Sequence, residues 1–199
     1  MKYKNFICID LQNDFTTKGG LAFKVRPCVD FIKETLTPYF KQNSLQVVEI
    51  VSDYRQPRPG DRGDCCHPGE WGYESIIPSE IKRKPIWVKC MNSPIWVREN
   101  IGDSNKTPGI PYQDGSSFQR WLDTNIGEMN KDVDVVLFGL TIDCCVLSTA
   151  QELNWRGYQV HILKEAVDAY SGSITEKDMI LSNTPLLNWA DVISWKDLI

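Results

Sequence analysis

Six short apolar runs constrain this chain more than any other feature: Phe6–Ile9, Val47–Val51, Pro85–Val88, Val133–Phe138, Tyr158–Leu163 and Asp191–Ile193. Several are β-branched and bounded by turn residues, as strands buried on both faces must be. Helix-like stretches lie between them. Cys28–Phe40 spaces Val29, Ile32, Leu36 and Phe40 near a helical period, and Ser117–Ile126 carries Phe118, Trp121 and Leu122. Val146–Trp155 repeats the pattern, and Gly157 ends it. Strands alternating with helices predict one α/β domain over residues 1–199, with a mainly parallel, doubly wound sheet between two layers of helices. The Pro- and Gly-containing segment Asn92–Gly115 breaks this rhythm and reads as a long loop, a lid or a subunit contact.

Composition narrows the function classes. The formal charge of −4 and the absence of a basic cluster argue against a nucleic-acid binder. No apolar run reaches the roughly 20 residues needed to span a bilayer, and the N-terminus makes a poor signal peptide. The seven cysteines (Cys8, Cys28, Cys65, Cys66, Cys90, Cys144, Cys145) are odd in number and include two adjacent pairs, which suits a reduced, cytoplasmic protein better than a disulfide framework. His67 and His161 are the only histidines, so nucleophilic chemistry is expected to use another base.

Ligands in open parallel sheets bind beyond the carboxyl ends of the strands. Asp10 follows the first run, Lys89 the third, and Gly139-Leu140-Thr141-Ile142-Asp143-Cys144-Cys145-Val146 leads from the fourth into a helix. An acid, an ammonium and a thiol at one rim can carry out nucleophilic catalysis without histidine. The carboxylate takes the thiol proton, while the ammonium and the helix N-terminus favour the thiolate. Taken singly, each also suits an ordinary role: a turn-forming Asp, a solvated Lys, a small buried Cys.

The stretch Asp10-Leu11-Gln12-Asn13-Asp14-Phe15 resembles the opening motif of the isochorismatase-like cysteine hydrolases, a superfamily that includes nicotinamidases, carbamoyl-amide hydrolases and isochorismatases. The Gly139–Val146 segment is similar to the family's nucleophile turn, Lys89 falls at the family's lysine, and Cys66–Glu74 resembles its C-x-x-G-x-x-G-x-E stretch. The resemblance implies a six-stranded sheet of order 3-2-1-4-5-6. It implies Cys145 as nucleophile, Asp10 as general base, Lys89 as third triad member, and the backbone N–H groups of Thr141 and Cys145 as oxyanion donors. A cis peptide is implied at Leu140-Thr141, and a homo-oligomer overall. The expected reaction is thioester-mediated hydrolysis of a small amide or carbamoyl C–N bond. A vinyl-ether hydrolase and a catalytically idle scaffold are the alternatives.

Nicotinamidase-type relatives bind a metal through a D-x-H pair and a later histidine. Here Asp53-Tyr54-Arg55 and Cys65 stand at those places, so no metal and no other cofactor are expected. A Cys65/Cys66/His67/Cys90 zinc site does not match a known spacing. Arg55 and Arg62 suit planar recognition of a carboxylate and point to an anionic small-molecule substrate, or else are simply solvated. Phe15 and Trp71 are candidate pocket walls, or core aromatics. The other cysteines carry no expected role.

Overall fold

The computed structural model describes residues 3–60, 63–99, 109–128, 130 and 132–199. In chain order the elements are β1 (Asn5–Ile9), α1 (Asn13–Thr16), α2 (Pro27–Phe31), α3 (Thr37–Gln42), β2 (Val47–Ser52), β3 (Lys82–Lys89), β4 (Trp96–Val97), β5 (Tyr112–Gln113), α4 (Gly115–Asn125), β6 (Asp134–Leu140), α5 (Cys145–Trp155), β7 (Gln159–Asp168), α6 (Ile174–Leu181) and β8 (Asp191–Ile193). Six strands form one sheet in the order β3-β2-β1-β6-β7-β8, with every neighbouring pair parallel. Counting only these six, the order is the expected 3-2-1-4-5-6.

The period of two along each strand divides the core into two halves. Ile7, Ile9, Val48, Ile50, Val135 and Leu137 face one side, where they meet Phe118 and Leu122 of α4 and Val146, Ala150 and Leu153 of α5. Phe6, Cys8, Val47, Val136 and Phe138 face the other, against Val29 of α2 and Phe40 of α3. The central strands are therefore apolar on both faces, and the molecule has three layers.

Some boundaries differ from the sequence reading. The expected helix over Cys28–Phe40 starts at Pro27 and ends at Gln42, with a π turn over Ile32–Leu36 joining α2 to α3. The seventh strand runs on to Asp168, past the apolar run that signalled it. The segment 92–115 is not a plain loop: Trp96 pairs with Gln113 and Val97 with Tyr112 in a small antiparallel ribbon. Its residues 100–108 lie outside the described residues, as does Arg62. None of the described helices is long and apolar enough to cross a membrane.

Candidate active site

Parallel pairing brings three strand ends to one rim. Ser52 and Lys89 are register partners at the ends of β2 and β3, and Asp10 follows β1 with its N–H on the carbonyl of Ile50 at 2.9 Å. Asp10 adopts a left-handed conformation at φ 53°. Short polar side chains such as Asp tolerate that region better than branched ones. Gln12 secures the same rim: its Nε2 donates to the Ser52 carbonyl at 2.9 Å, and its Oε1 accepts from the Ser52 N–H at 2.8 Å.

The thiol arrives from the other half of the sheet. β6 ends at Leu140, the Leu140–Thr141 peptide is cis, and α5 begins at Cys145 itself, one residue earlier than its apolar spacing suggests. Cys145 is thus the first helical residue, where the helix macrodipole favours negative charge. Among the described residues, the Thr141 and Cys145 N–H groups donate to no backbone carbonyl. Gly139, at φ 114°, lets β6 approach β1 closely, because a side chain there would run into the backbone of Ile9.

The ammonium of Lys89 is fully buried and lies 2.8 Å from Asp10 Oδ2, 2.8 Å from Ser52 Oγ, 2.8 Å from Tyr54 Oη and 3.3 Å from Cys145 Sγ. Ser52 Oγ in turn donates to Asp10 Oδ1 at 2.8 Å. Asp10 is 2% exposed, so this is an ion pair out of water, with both partners hydrogen-bonded. Burial alone would lower the Lys89 pKa, but the charges of Asp10 and Cys145 outweigh it and hold the ammonium above its ordinary value. The Cys145 thiol is pushed up to about 12, chiefly by burial, with Lys89 pulling it down and Asp10 pushing it up. The sulfur therefore rests as a thiol beside a carboxylate able to take its proton. Exposed Asn92 has its Oδ1 3.5 Å from Sγ, which places the sulfur just beneath the surface.

Two residues here were not singled out from sequence. Ser52 ends β2 and Tyr54 lies two residues beyond it, and neither residue type stands out at a strand end by sequence. Tyr54 Oη is 3.0 Å from Cys145 Sγ. Phe15 meets the Tyr54 ring edge-on at 6.2 Å and so stands beside the site. Trp71 is half-exposed on a neighbouring 3-10 turn. The guanidinium of Arg55 is turned onto Asp53, Nε to Oδ1 at 2.8 Å and Nη2 to Oδ2 at 2.5 Å. An open cavity of about 700 Å³ beside β3 is lined by Asp53, Arg55, Tyr73, Lys89, Arg98 and Trp121, among others.

Neither histidine joins this site among the described residues. His67 pairs with Asp64 at 2.7 Å near the surface, and His161 with Asp134 at 2.6 Å at the far end of the sheet.

Residues 114–197 match the family model described as the Isochorismatase domain. A curated relative, the isochorismatase family protein PncA of Bacillus subtilis (strain 168), is 24% identical over 179 residues, 84% of this chain and 87% of that protein. The crystal structure of the Bacillus subtilis nicotinamidase/pyrazinamidase PncA superposes with a TM-score of 0.65 at 21% identity, covering 96% of this chain and 98% of that one.

The chain shares the fold of that structure, and its C-terminal part is similar to the Isochorismatase domain.

Two further solved structures share the fold of this chain. The N-carbamoylsarcosine amidase of Thermoplasma acidophilum has a TM-score of 0.61 at 22% identity, covering 98% of this chain and 96% of that one. The pyrazinamidase of Pyrococcus horikoshii, solved in complex with zinc, has a TM-score of 0.63 at 18% identity, covering 96% and 99%.

That zinc complex raises the question of whether this chain's residues suit a metal, and the donor chemistry says they do not. Asp53 is held bidentately by Arg55, and Arg98 Nε lies 3.7 Å from the same carboxylate, so cations of the chain itself fill its surroundings. A second grouping, Asp14 with Cys65 and Cys66, brings its ligand atoms within 4.8 Å of one another. Both Asp14 oxygens already accept backbone N–H bonds, from Leu21 at 3.0 Å and from Cys66 at 2.6 Å. The hydrogen bond with the neighbouring Cys65, and then burial, push the Cys66 thiol far up, away from the thiolate a metal requires.

Proposed function

We propose that this chain is an isochorismatase-like hydrolase that cleaves the C–N bond of a small amide or carbamoyl compound through a thioester on Cys145, without a metal. The convergence of Asp10, Lys89 and Cys145 within one hydrogen-bonded cluster carries the reading. The nicotinamidase and amidase neighbours support amide chemistry.

In this reading Asp10 removes the thiol proton as Sγ attacks the carbonyl carbon. The N–H groups of Thr141 and Cys145 receive the oxyanion, and one such donor is worth roughly 3–4 kcal/mol in a transition state. Collapse of the tetrahedral intermediate expels the amine with the proton held by Asp10, leaving the acyl group on sulfur. Water, deprotonated by Asp10, then cleaves the thioester to a carboxylic acid and returns the proton to the thiol. Lys89 stays protonated throughout, paired with Asp10 and adding positive charge beside the sulfur.

We further propose a small anionic substrate, homo-oligomeric assembly and a reduced cytoplasmic setting. Arg55, paired with Asp53 yet 41% exposed in the cavity wall, supports the first, and seven free thiols support the last. Arg55→Ala is expected to raise KM for carboxylate-bearing amides; an unchanged KM would discard the anionic substrate.

The deciding experiment follows ammonia release from an amide panel in wild type and Cys145→Ala. Turnover in the wild type alone is expected. Turnover that survives the substitution would remove Cys145 as the nucleophile. The isochorismatase-domain match favours one other reading, vinyl-ether hydrolysis, in which no thioester forms and Cys145→Ala would retain activity.

A further inference from the structure

A count of protons around Lys89 assigns a role to Tyr54. The ammonium has three N–H bonds and four acceptors within reach: Asp10 Oδ2, Ser52 Oγ and Tyr54 Oη at 2.8 Å each, and Cys145 Sγ at 3.3 Å. The three short contacts engage all three protons. Ser52 Oγ has its own proton on Asp10, so it accepts from Lys89. Tyr54 Oη likewise accepts from Lys89, which leaves the phenol proton free to point elsewhere. Its two other neighbours are Cys145 Sγ at 3.0 Å and Asn92 Oδ1 at 3.5 Å. The sulfur is the nearer.

We infer that Tyr54 is a fourth catalytic side chain, which donates its phenol proton to the Cys145 sulfur and stabilises the thiolate as it forms. The inference rests on Cys145 being the nucleophile. A hydrogen bond to a charged acceptor is stronger than one to a neutral acceptor, so the bond favours the thiolate over the thiol. Tyr54 is fixed for this task. Its ring is 6% exposed, the Arg58 guanidinium covers one face at 3.8 Å, and Phe15 packs on its edge. Its backbone pairs with Cys65 in both directions, Tyr54 N–H to the Cys65 carbonyl at 3.2 Å and the reverse at 3.4 Å. Burial, and then the charges of Cys145 and Asp10, push the phenol well above its ordinary value, so it keeps its proton. The charged or titratable groups facing the sulfur are Asp10 from the end of β1, Tyr54 after β2 and Lys89 from β3.

The test needs no substrate. Wild type, Tyr54→Phe and a variant carrying 3-fluorotyrosine at position 54 are treated with iodoacetamide at pH 8, and modification of Cys145 is followed by peptide mass spectrometry. The phenylalanine variant is expected to react about tenfold more slowly, since Lys89 can turn its released proton to the sulfur and offset part of the loss. Fluorotyrosine, a stronger donor of nearly the same size, is expected to react at or above the wild-type rate; it carries the test alone should Tyr54→Phe not fold. A Tyr54→Phe rate within twofold of wild type overturns the inference, and so does a fluorotyrosine variant slower than wild type. The Cys145→Ala turnover assay examines the nucleophile separately. A confirmed nucleophile with unmoved Tyr54 variants therefore sinks only this inference.

Discussion

Replacing Lys89 by Met tests the electrostatic centre of the site. Lys89 is fully buried, and its loss strips Asp10, itself 2% exposed, of the cation 2.8 Å away. Ser52 Oγ would remain as a side-chain donor to that carboxylate. Breaking a buried ion pair by removing one partner typically costs about 3–5 kcal/mol, because the surviving charge stays buried without compensation. For a chain of this length 1 kcal/mol moves the melting temperature by about 2–4 °C, so a fall of roughly 6–20 °C is expected. The seven tryptophans make urea unfolding easy to follow by fluorescence. Methionine supplies similar bulk, so the loss is electrostatic and not a cavity effect. Adding Asp10→Asn to Lys89→Met removes the stranded charge, and the double variant is expected to be more stable than Lys89→Met alone. A cost below about 1 kcal/mol, as for an exposed pair, would refute the reasoning, as would simple additivity of the two substitutions.

Gly139→Ala should destabilise by more than about 4 kcal/mol, combining a left-handed alanine with backbone contact against Ile9, and should abolish turnover because both Asp10 and Thr141 are displaced; a melting temperature within 2 °C of wild type would contradict this. Alkylation of Cys145 in the free protein should climb about tenfold per pH unit from pH 7 to 9, following the thiolate fraction of a group near 12; a plateau near neutrality would show a resting thiolate instead. The same shift links to folding: the native thiol lies above its ordinary 9.0, so its stabilising contribution is complete below pH 9 and is lost as pH rises toward 12. Urea midpoints should accordingly fall between pH 9 and 11, and less steeply in Cys145→Ala. Zinc or a chelator should leave turnover and melting temperature unchanged, because Arg55 and Arg98 surround the Asp53 carboxylate; activation by zinc would overturn the metal-free proposal.

The alternation of β-branched runs with 3.6-period stretches is a property of local sequence, and it sufficed for the three-layer architecture. A strand buried on both faces has little freedom in how it can be written. The same logic placed Asp10, Lys89 and the Gly139–Val146 turn at one rim, since each directly follows a strand. Boundaries were less legible where tertiary pairing overrides local signal: β7 extends to Asp168 through Lys164 and Glu165, and the ribbon of β4 and β5 lies inside a segment rich in turn formers. The chain order alone could not say which polar atoms would meet. Tyr54 and Ser52 read as ordinary residues after a strand, and only parallel register with β3 sets both against the Lys89 ammonium. Arg55 shows the reverse case. Its planar fork suits the carboxylate of a ligand, and the fold also sets it against the carboxylate of Asp53, two residues away, a pairing that the strand pattern does not announce. Sequence thus determined the kinds of chemical group available and the side of the sheet on which they lie. Tertiary structure decided the pairings, because hydrogen bonds and ion pairs depend on ångström-scale distances between residues that are tens of positions apart in the chain.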